Sequence, residues 1–468
     1  MEFLRNQLRI LRQSSLARNA GWMAIGHGCN ILLQAAYFIL LARLLGVREY
    51  GVFAGAFAFV TIATPYSALG FGLLFVRYVS TDAHNFAVYW GNILLATFGV
   101  GSALTVLLVW IAPHLLNPAS ASLILMVALG DCICRQLVIC VSQVFQAFEQ
   151  LRMTATITLM TSFLRLLMVI ALALSLHHVT AGQWALSSLV ISALSALVAS
   201  AIVMMRYGGP KFAPRIFFSR FGEGFGFSLA GSTQSAYNDI DKTMLSHYGM
   251  NVANGIYTMA YRIVDVSTVP VTALDAAALP RFFRQSQEGP RAVASLSVRL
   301  AKRAALLGIT MSACMFFAAP MIPHIVGNGF KESVIALRWL CLIPVFRGIH
   351  QLTGSAITGL GYQRYRTVAQ LFAASLNLGM NLWLIPRYGW IGAAWASLAT
   401  DGSLGIVNWL LLKRLSGPKF NRSNYARNSD KENGAESIGE PDAIRKSEYR
   451  YSISSRCHST YGVRTIAL

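Results

Sequence analysis

Six apolar stretches with few charges lie before residue 207, and six more lie between residues 223 and 414. Most are near or above the roughly 20 residues that a helix rising about 1.5 Å per residue needs to cross a hydrocarbon core. The spans read as Gly21 to Leu41, Tyr50 to Val76, Phe86 to Ala112, Ser122 to Phe148, Thr154 to Leu176, Trp184 to Met205, Phe225 to Tyr248, Gly255 to Leu279, Ala304 to Val326, Val334 to Leu360, Val368 to Ile385 and Trp390 to Leu412. An all-α polytopic membrane protein of about twelve transmembrane helices follows. The connecting loops are too short to hold a second hydrophobic core, so the function lies within the bilayer.

Charge placement supports this reading. The chain is 55% hydrophobic and 12% charged, yet carries a net charge of +20. With the N terminus placed in the cytoplasm, inward segments hold Arg5, Arg9, Arg12, Arg18, Arg77, Arg152 and the basic runs at 206–220, 281–303, 364–366 and 413–414. Outward loops hold only Arg43, Arg48, Lys331 and Arg387, about a fivefold bias. The excess is a topology signal with both termini inside, not a nucleic-acid footprint. Residues 1–12 also suit a short surface helix, with Arg5, Arg9 and Arg12 on one face. The first span is long enough to be retained as a helix. The seven cysteines show no zinc or redox spacing, so neither a metal nor a disulfide is expected.

The two sets of six spans resemble each other. Gly46 to Phe53 has a counterpart in Gly249 to Tyr257, Gln146 to Thr154 in Gly359 to Thr367, and Gln183-Trp184-Ala185 in Ala394-Trp395-Ala396, at offsets of about 204 to 213 residues. An even number of spans per copy makes the copies parallel, related by an axis along the membrane normal. The expected divisions are a cytoplasmic segment at 1–19, a six-helix bundle at 20–206, a cytoplasmic inter-lobe loop at 207–222, a second six-helix bundle at 223–414 and a disordered cytoplasmic tail at 415–468. Two such halves suit alternating access, with the substrate route between them.

Ionisable residues inside a membrane are costly and mark the interior. Ser228, Ser232, Ser235, Asp239 and Lys242 share one face of the seventh span, with Asn238 and Asp241 beside it. Asp239, Asp241 and Lys242 are candidates for ion coupling; the competing reading is that Lys242 neutralises Asp239 one turn away. Thr158, Thr161 and Arg165 align on the fifth span. Arg338 and Arg347 lie on the tenth, where Arg347 continues into Gln351. A guanidinium stays charged in a dry cavity and binds phosphate oxygens bidentately, so Arg165, Arg338 and Arg347 suit an anionic substrate such as a diphosphate. Their alternative is cross-helix pairing with Asp265, Asp275 or Asp401. Asp131 with Arg135, and Arg262 with Asp265, read as structural pairs within one helix turn. Nucleotide-binding and zinc-hydrolase motifs are absent from the sequence, so neither an enzyme nor a cofactor is expected.

Asn19-Ala-Gly-Trp22, Ala42-Arg43-Leu44-Leu45-Gly46, Glu49-Tyr50-Gly51, Gly70-Phe71-Gly72 and Gly255-Ile-Tyr257-Thr-Met-Ala260-Tyr-Arg262 together resemble the polysaccharide-transporter, or Wzx-type oligosaccharide flippase, branch of the MOP superfamily. The resemblance covers roughly residues 15 to 415. It implies a twelve-helix V-shaped fold in the bacterial cytoplasmic (inner) membrane. The implied activity is translocation of undecaprenyl-diphosphate-linked oligosaccharide for O-antigen, capsule or exopolysaccharide assembly, among membrane lipids and alongside a polysaccharide polymerase and chain-length regulator. A cationic lumen is carried over to Arg165, Arg338 and Arg347, and ion coupling to Asp239 and Asp241. A MATE-like multidrug or cation antiporter and a lipid-II-type flippase are the alternatives.

Overall fold

A computed structural model describes residues 15–176 and 178–417. The described residues form one compact unit. The surface helix expected at 1–12, most of the expected tail and Cys457 lie outside the described residues. The structure is 90% helical, without strands among the described residues.

The first helix, α1 (Ser15–Ala63), reverses direction at Gly46, whose φ of 69° and ψ of 170° break the helical ladder. A side chain there would be strained; glycine allows two passes to meet in one residue. The chain continues through α2 (Phe71–Val79), α3 (Phe86–Leu95), α4 (Gly101–Leu115), α5 (Pro118–Ala121), α6 (Ile124–Ala128), α7 (Gln136–Ala147), α8 (Leu151–Ser175) and α9 (Ala181–Tyr207). Then follow α10 (Pro214–His247), α11 (Asn251–Ser286), α12 (Pro290–Ala318), α13 (Ile322–Val326), α14 (Ser333–Leu340), α15 (Ile343–Gly359), α16 (Gln363–Tyr388) and α17 (Trp390–Leu415). Proline at the start of α10 and α12, and a capping box of Thr180 and Gln183 on α9, satisfy helix starts that would otherwise leave bare N–H groups.

Successive connections alternate between two ends, giving twelve passes. One end gathers Gly46, Asn117, Thr180, Gly249, Asn328 and Gly389. There Ala181 N donates to Glu49 Oε2 at 2.9 Å and Trp390 Nε1 to Glu332 Oε2 at 3.3 Å. The other gathers Arg77, Lys211, Pro290 and Ser416, with Lys211 N donating to Ala87 O at 2.8 Å and Ser416 Oγ to Pro290 O at 3.2 Å. Nine helices among the described residues are long and apolar enough to cross a membrane, and the first of these includes the turn at Gly46. The helix α10 falls outside that set; it carries Asp239, Asp241 and Lys242.

The matching segments of the two halves meet face to face. A Cβ on Gly51 would lie 1.8 Å from Asn251 O, and one on Gly255 would lie 2.0 Å from Val47 O. Positions 47 and 51 thus contact 255 and 251, each touching the other's counterpart in the repeat. Such an exchange is what a two-fold relation between parallel halves produces. Around it a shared apolar core of Tyr37, Leu41, Trp184, Tyr257, Phe330 and Trp390 joins both halves at the Gly46 end. A second core, built on Phe71, Phe75, Trp90, Phe145 and Phe217, lies toward the Arg77 end.

Candidate functional site

Polar side chains from α10, α11 and α15 converge beneath the Gly46 end. Lys242 Nζ donates to Asp239 Oδ1 at 2.6 Å and to Asn238 O at 2.7 Å, and stands 4.4 Å from the Tyr261 ring centroid. Arg347 donates to Tyr261 Oη at 3.0 Å, Asn238 Oδ1 at 3.4 Å and Asp265 Oδ1 at 3.3 Å. Asp265 in turn lies 3.9 Å from Arg262. Three cations therefore face two carboxylates. The net positive charge is tolerable in a low-dielectric region because each cation also has a π face or hydrogen bonds.

Arg262 carries this cluster across to the first six passes. Its guanidinium lies 4.5 Å from the Phe38 centroid and 5.9 Å from that of Phe57. It borders a cavity of about 40 Å³ lined also by Tyr37, Phe38, Phe57, Asp131 and Arg165. A π-helical segment, Leu129–Arg135, brings Asp131 to the wall. Widened turns of this kind often mark functional positions. Arg165 Nε, Arg262 Nε and Asp131 Oδ2 are buried there without a hydrogen-bond partner. Two guanidinium donors and aromatic walls suit an anionic group with an attached ring or sugar face.

The expected site residues divide among several places. Arg165 borders the cavity. Arg347 is paired with Asp265, one of the alternatives left open by the sequence, and Lys242 is paired with Asp239. Arg338 stands apart: it is exposed on α14, 5.0 Å from the Phe316 centroid, facing away from the cluster. Asp241 is fully buried and accepts from Lys242 N at 2.7 Å, from Ser397 Oγ at 3.1 Å and from Tyr257 Oη, away from the cavity. Thr158 and Thr161 bond the carbonyls of Thr154 and Ile157 on their own helix at 3.0 Å and line no cavity with Arg165. Ser232 donates to Ile62 O at 2.8 Å across the halves, whereas Ser228 and Ser235 line a crevice between α10 and the first half. Gln351 lines a separate cavity within the second half.

The spacing of Arg262–Asp265 and Asp131–Arg135 shows pairing, and both pairs form, at 3.9 and 3.1 Å. What spacing within one helix does not show is that each leaves a polar atom turned toward a common cavity. The helix phase of Arg338 relative to Arg347, nine residues apart and so about half a turn out of register, was a usable signal that they face apart.

Residues 16–286 match a family model described as polysaccharide biosynthesis protein. An uncharacterized membrane protein of Methanocaldococcus jannaschii is 26% identical over 190 residues, 40% of this chain, and the match spans 44% of that protein's length. Among solved structures, an inward-facing multidrug resistance MATE family transporter of the MOP superfamily aligns with a TM-score of 0.67 at 16% identity, covering 83% of this chain and 96% of that one. A MOP superfamily transporter from Pyrococcus furiosus aligns with a TM-score of 0.57 at 16% identity, covering 85% and 94%. With its fold that of MOP superfamily transporters, the chain belongs to the polysaccharide biosynthesis protein family.

Proposed function

We propose that this protein is a flippase that moves a lipid-diphosphate-linked oligosaccharide, of the undecaprenyl type, from the cytoplasmic to the periplasmic face of a bacterial inner membrane. The Arg77 end, where basic residues concentrate, is the cytoplasmic one in this reading. The first and last six passes act as lobes that open alternately at either end. The observation that carries the reading is the cavity in which Arg165 and Arg262 present buried, unpartnered N–H groups beside aromatic side chains. A diphosphate supplies acceptors to both guanidiniums, and sugar rings pack on Tyr37 and Phe57. The cavity's single carboxylate, Asp131, already lies 3.1 Å from Arg135. A cationic drug would meet Arg165 and the Asp265-paired Arg262 instead of an acidic wall. The Pyrococcus furiosus transporter is described as having a binding pocket of reversed polarity that suggests a different function, a precedent for changing the cargo's sign on this fold.

The test is a flipping assay in proteoliposomes with a fluorescent lipid-diphosphate oligosaccharide and a membrane-impermeant quencher. Wild-type protein should render the inner-leaflet pool quenchable. Arg165→Ala and Arg262→Ala should each slow this by about tenfold or more, and the lysine variants should recover only part of it because the bidentate fork is lost. Wild-type rates equal to those of protein-free vesicles, or alanine variants as fast as wild type, would overturn the reading.

A further inference from the structure

The crevice beside the α10 seam has a volume of about 270 Å³ and is walled by both halves. From the first half α7 presents Gln136, Ile139 and Gln143, three and four residues apart and therefore on one face. From the second, α10 presents Ser228, Gly231 and Ser235 at the same spacing. Pro65 and Phe227 add apolar surface. The room for Gln143 comes from Gly72 on α2: a Cβ there would lie 1.7 Å from Gln143 Oε1, so any larger residue displaces the amide. Two hydroxyls at this crevice are buried without a partner. Ser228 is 2% exposed, and neither its Oγ nor Thr61 Oγ1 makes a hydrogen bond. Burying such groups is costly unless something that can donate and accept fills the space beside them.

We propose that this crevice is a sugar-reading subsite, which takes a neutral sugar ring of the lipid-linked oligosaccharide, with Gln143 and Ser228 determining specificity and Gly72 acting as a positioning residue behind Gln143. This rests on the flippase reading above. Hydroxyls and carboxamides both donate and accept, as the hydroxyls of a sugar do. Among the described residues the only charged side chain in the lining is Arg135, and Asp131 neutralises it at 3.1 Å. A charged sugar would find no free counter-charge there, whereas a neutral ring brings no ion to desolvate. The apolar C–H face of the ring has Phe227 and Pro65 to pack against. The volume is near the lower end of the roughly 300–1,000 Å³ of small-molecule sites, which limits the crevice to a small part of an oligosaccharide.

The crevice adjoins the Arg165–Arg262 cavity. The π-helical segment Leu129–Arg135 serves both, with Asp131 in the wall of the cavity and Arg135 in that of the crevice, and these two side chains meet. Phe57, also in the cavity wall, has its ring centroid 5.6 Å from the Arg135 guanidinium. A lipid diphosphate held by Arg165 and Arg262 therefore has its sugars within reach of Arg135 and the amides beyond it. Because α7 and α10 belong to different halves, a ring bound between them bridges the halves, and its hydrogen bonds are lost if they part.

The test measures binding to full-length protein in nanodiscs, which needs no transport. The probes are fluorescent short-chain polyprenyl diphosphates carrying no sugar, one neutral hexose (glucose, galactose, or either with an acetamido group) or the corresponding uronic acid. At least one neutral hexose probe should bind about tenfold tighter than the bare diphosphate, and its uronic acid should lose most of that gain. Gln143→Ala and Ser228→Ala should each lower this ratio about fivefold, the order of one lost neutral hydrogen bond, and the ratio cancels any general weakening of binding. Gly72→Ala should lower it as far, and Gly72→Ala combined with Gln143→Ala no further, because the first acts by moving the second. Since its hydroxyl has no partner in the protein, Ser228→Ala should leave the melting temperature of the empty protein no lower than wild type, whereas a structural serine would lower it. Equal affinity for the bare and every hexose probe, a ratio undiminished in Gln143→Ala and Ser228→Ala, or additive effects of Gly72 and Gln143 would each overturn the proposal, and no binding of any probe would overturn the flippase reading with it. A sugar preference that persists while Arg165→Ala leaves all affinities unchanged would count against the diphosphate site and leave this one standing.

Discussion

The helices α10 and α11 open the second half side by side, yet they treat the first half differently. Along its whole length α10 stays against it. A Cβ on Gly224 would lie 2.1 Å from Leu69 O, Ser232 donates to Ile62 O at 2.8 Å, and Ser246 accepts from Asn117 Nδ2 at 2.7 Å. By contrast, α11 touches the first half at Gly255 and Arg262 and then leaves it. Its residues 266–285 make no hydrogen bond, ion pair or ring contact there among the described residues. One seam therefore resembles a hinge, closed from end to end, and the other a gate, closed only near the Gly46 end. The Arg165–Arg262 cavity lies on the gate side.

The largest expected effect tests whether backbone contact is what shuts the gate. Gly255→Val puts a branched side chain where even a Cβ would sit 2.0 Å from Val47 O, so α11 and α1 must separate. Overpacking against rigid backbone should cost about 3 kcal/mol or more. Gly226→Val, on α10 with nothing within 4 Å, should change stability by less than about 0.5 kcal/mol. Thermal unfolding in detergent measures both. Equal melting temperatures for the two variants would mean that the Gly51–Gly255 contact does not hold the halves together.

A smaller effect is expected at Asn117, which ties α10 to the first half at the Gly46 end. Its amide nitrogen lies 2.7 Å from Ser246 O, 2.9 Å from Ser246 Oγ and 3.0 Å from Asn251 Oδ1. Asn117→Ala removes these bonds and leaves Ser246 O without that donor, a loss of about 1–3 kcal/mol. A variant as stable as wild type would shift the hinge's strength to the Gly224–Leu69 contact.

The sequence makes the passes legible because hydropathy reads burial in lipid directly, and it makes the repeat legible because Gly46–Phe53 and Gly249–Tyr257 share residues. The reciprocity of Gly51 with Asn251 and Gly255 with Val47 was not legible: a match between copies does not say that the copies touch. Pairing within one helix was readable at Asp239–Lys242, since three residues is nearly one turn. Pairing across helices was not. Arg347 had three carboxylates within possible reach, and only the packing of α11 on α15 selects Asp265. Thr158 and Thr161 share a helix face with Arg165, but a short hydroxyl returns to its own backbone where a long guanidinium reaches a cavity. His350 and Asp401 are 51 residues apart, without a local pattern to join them.

The smallest effect belongs to the Arg77 end of the hinge. Arg77 Nη1 lies 2.7 Å from Glu223 Oε1, and Tyr78 Oη donates to Glu223 Oε2 at 3.1 Å. The Arg220 guanidinium stands 4.7 Å from the Tyr78 centroid, so one carboxylate binds two arginines and a tyrosine around the start of α10. Arg77 is 51% exposed and Glu223 25%, which lets water and salt screen the pair. Glu223→Gln should therefore lower stability by only about 0.5 kcal/mol. It leaves two arginines facing each other without their shared counter-charge, so the consequence should be local. Spin labels on Thr81 and Ser219 should report a broader distance distribution, narrowing again at high salt as repulsion is screened. If Glu223→Gln instead destabilises the protein more than Asn117→Ala does, the ion pair and not the backbone seam carries the hinge, and the contrast between α10 and α11 would have to be redrawn around electrostatics.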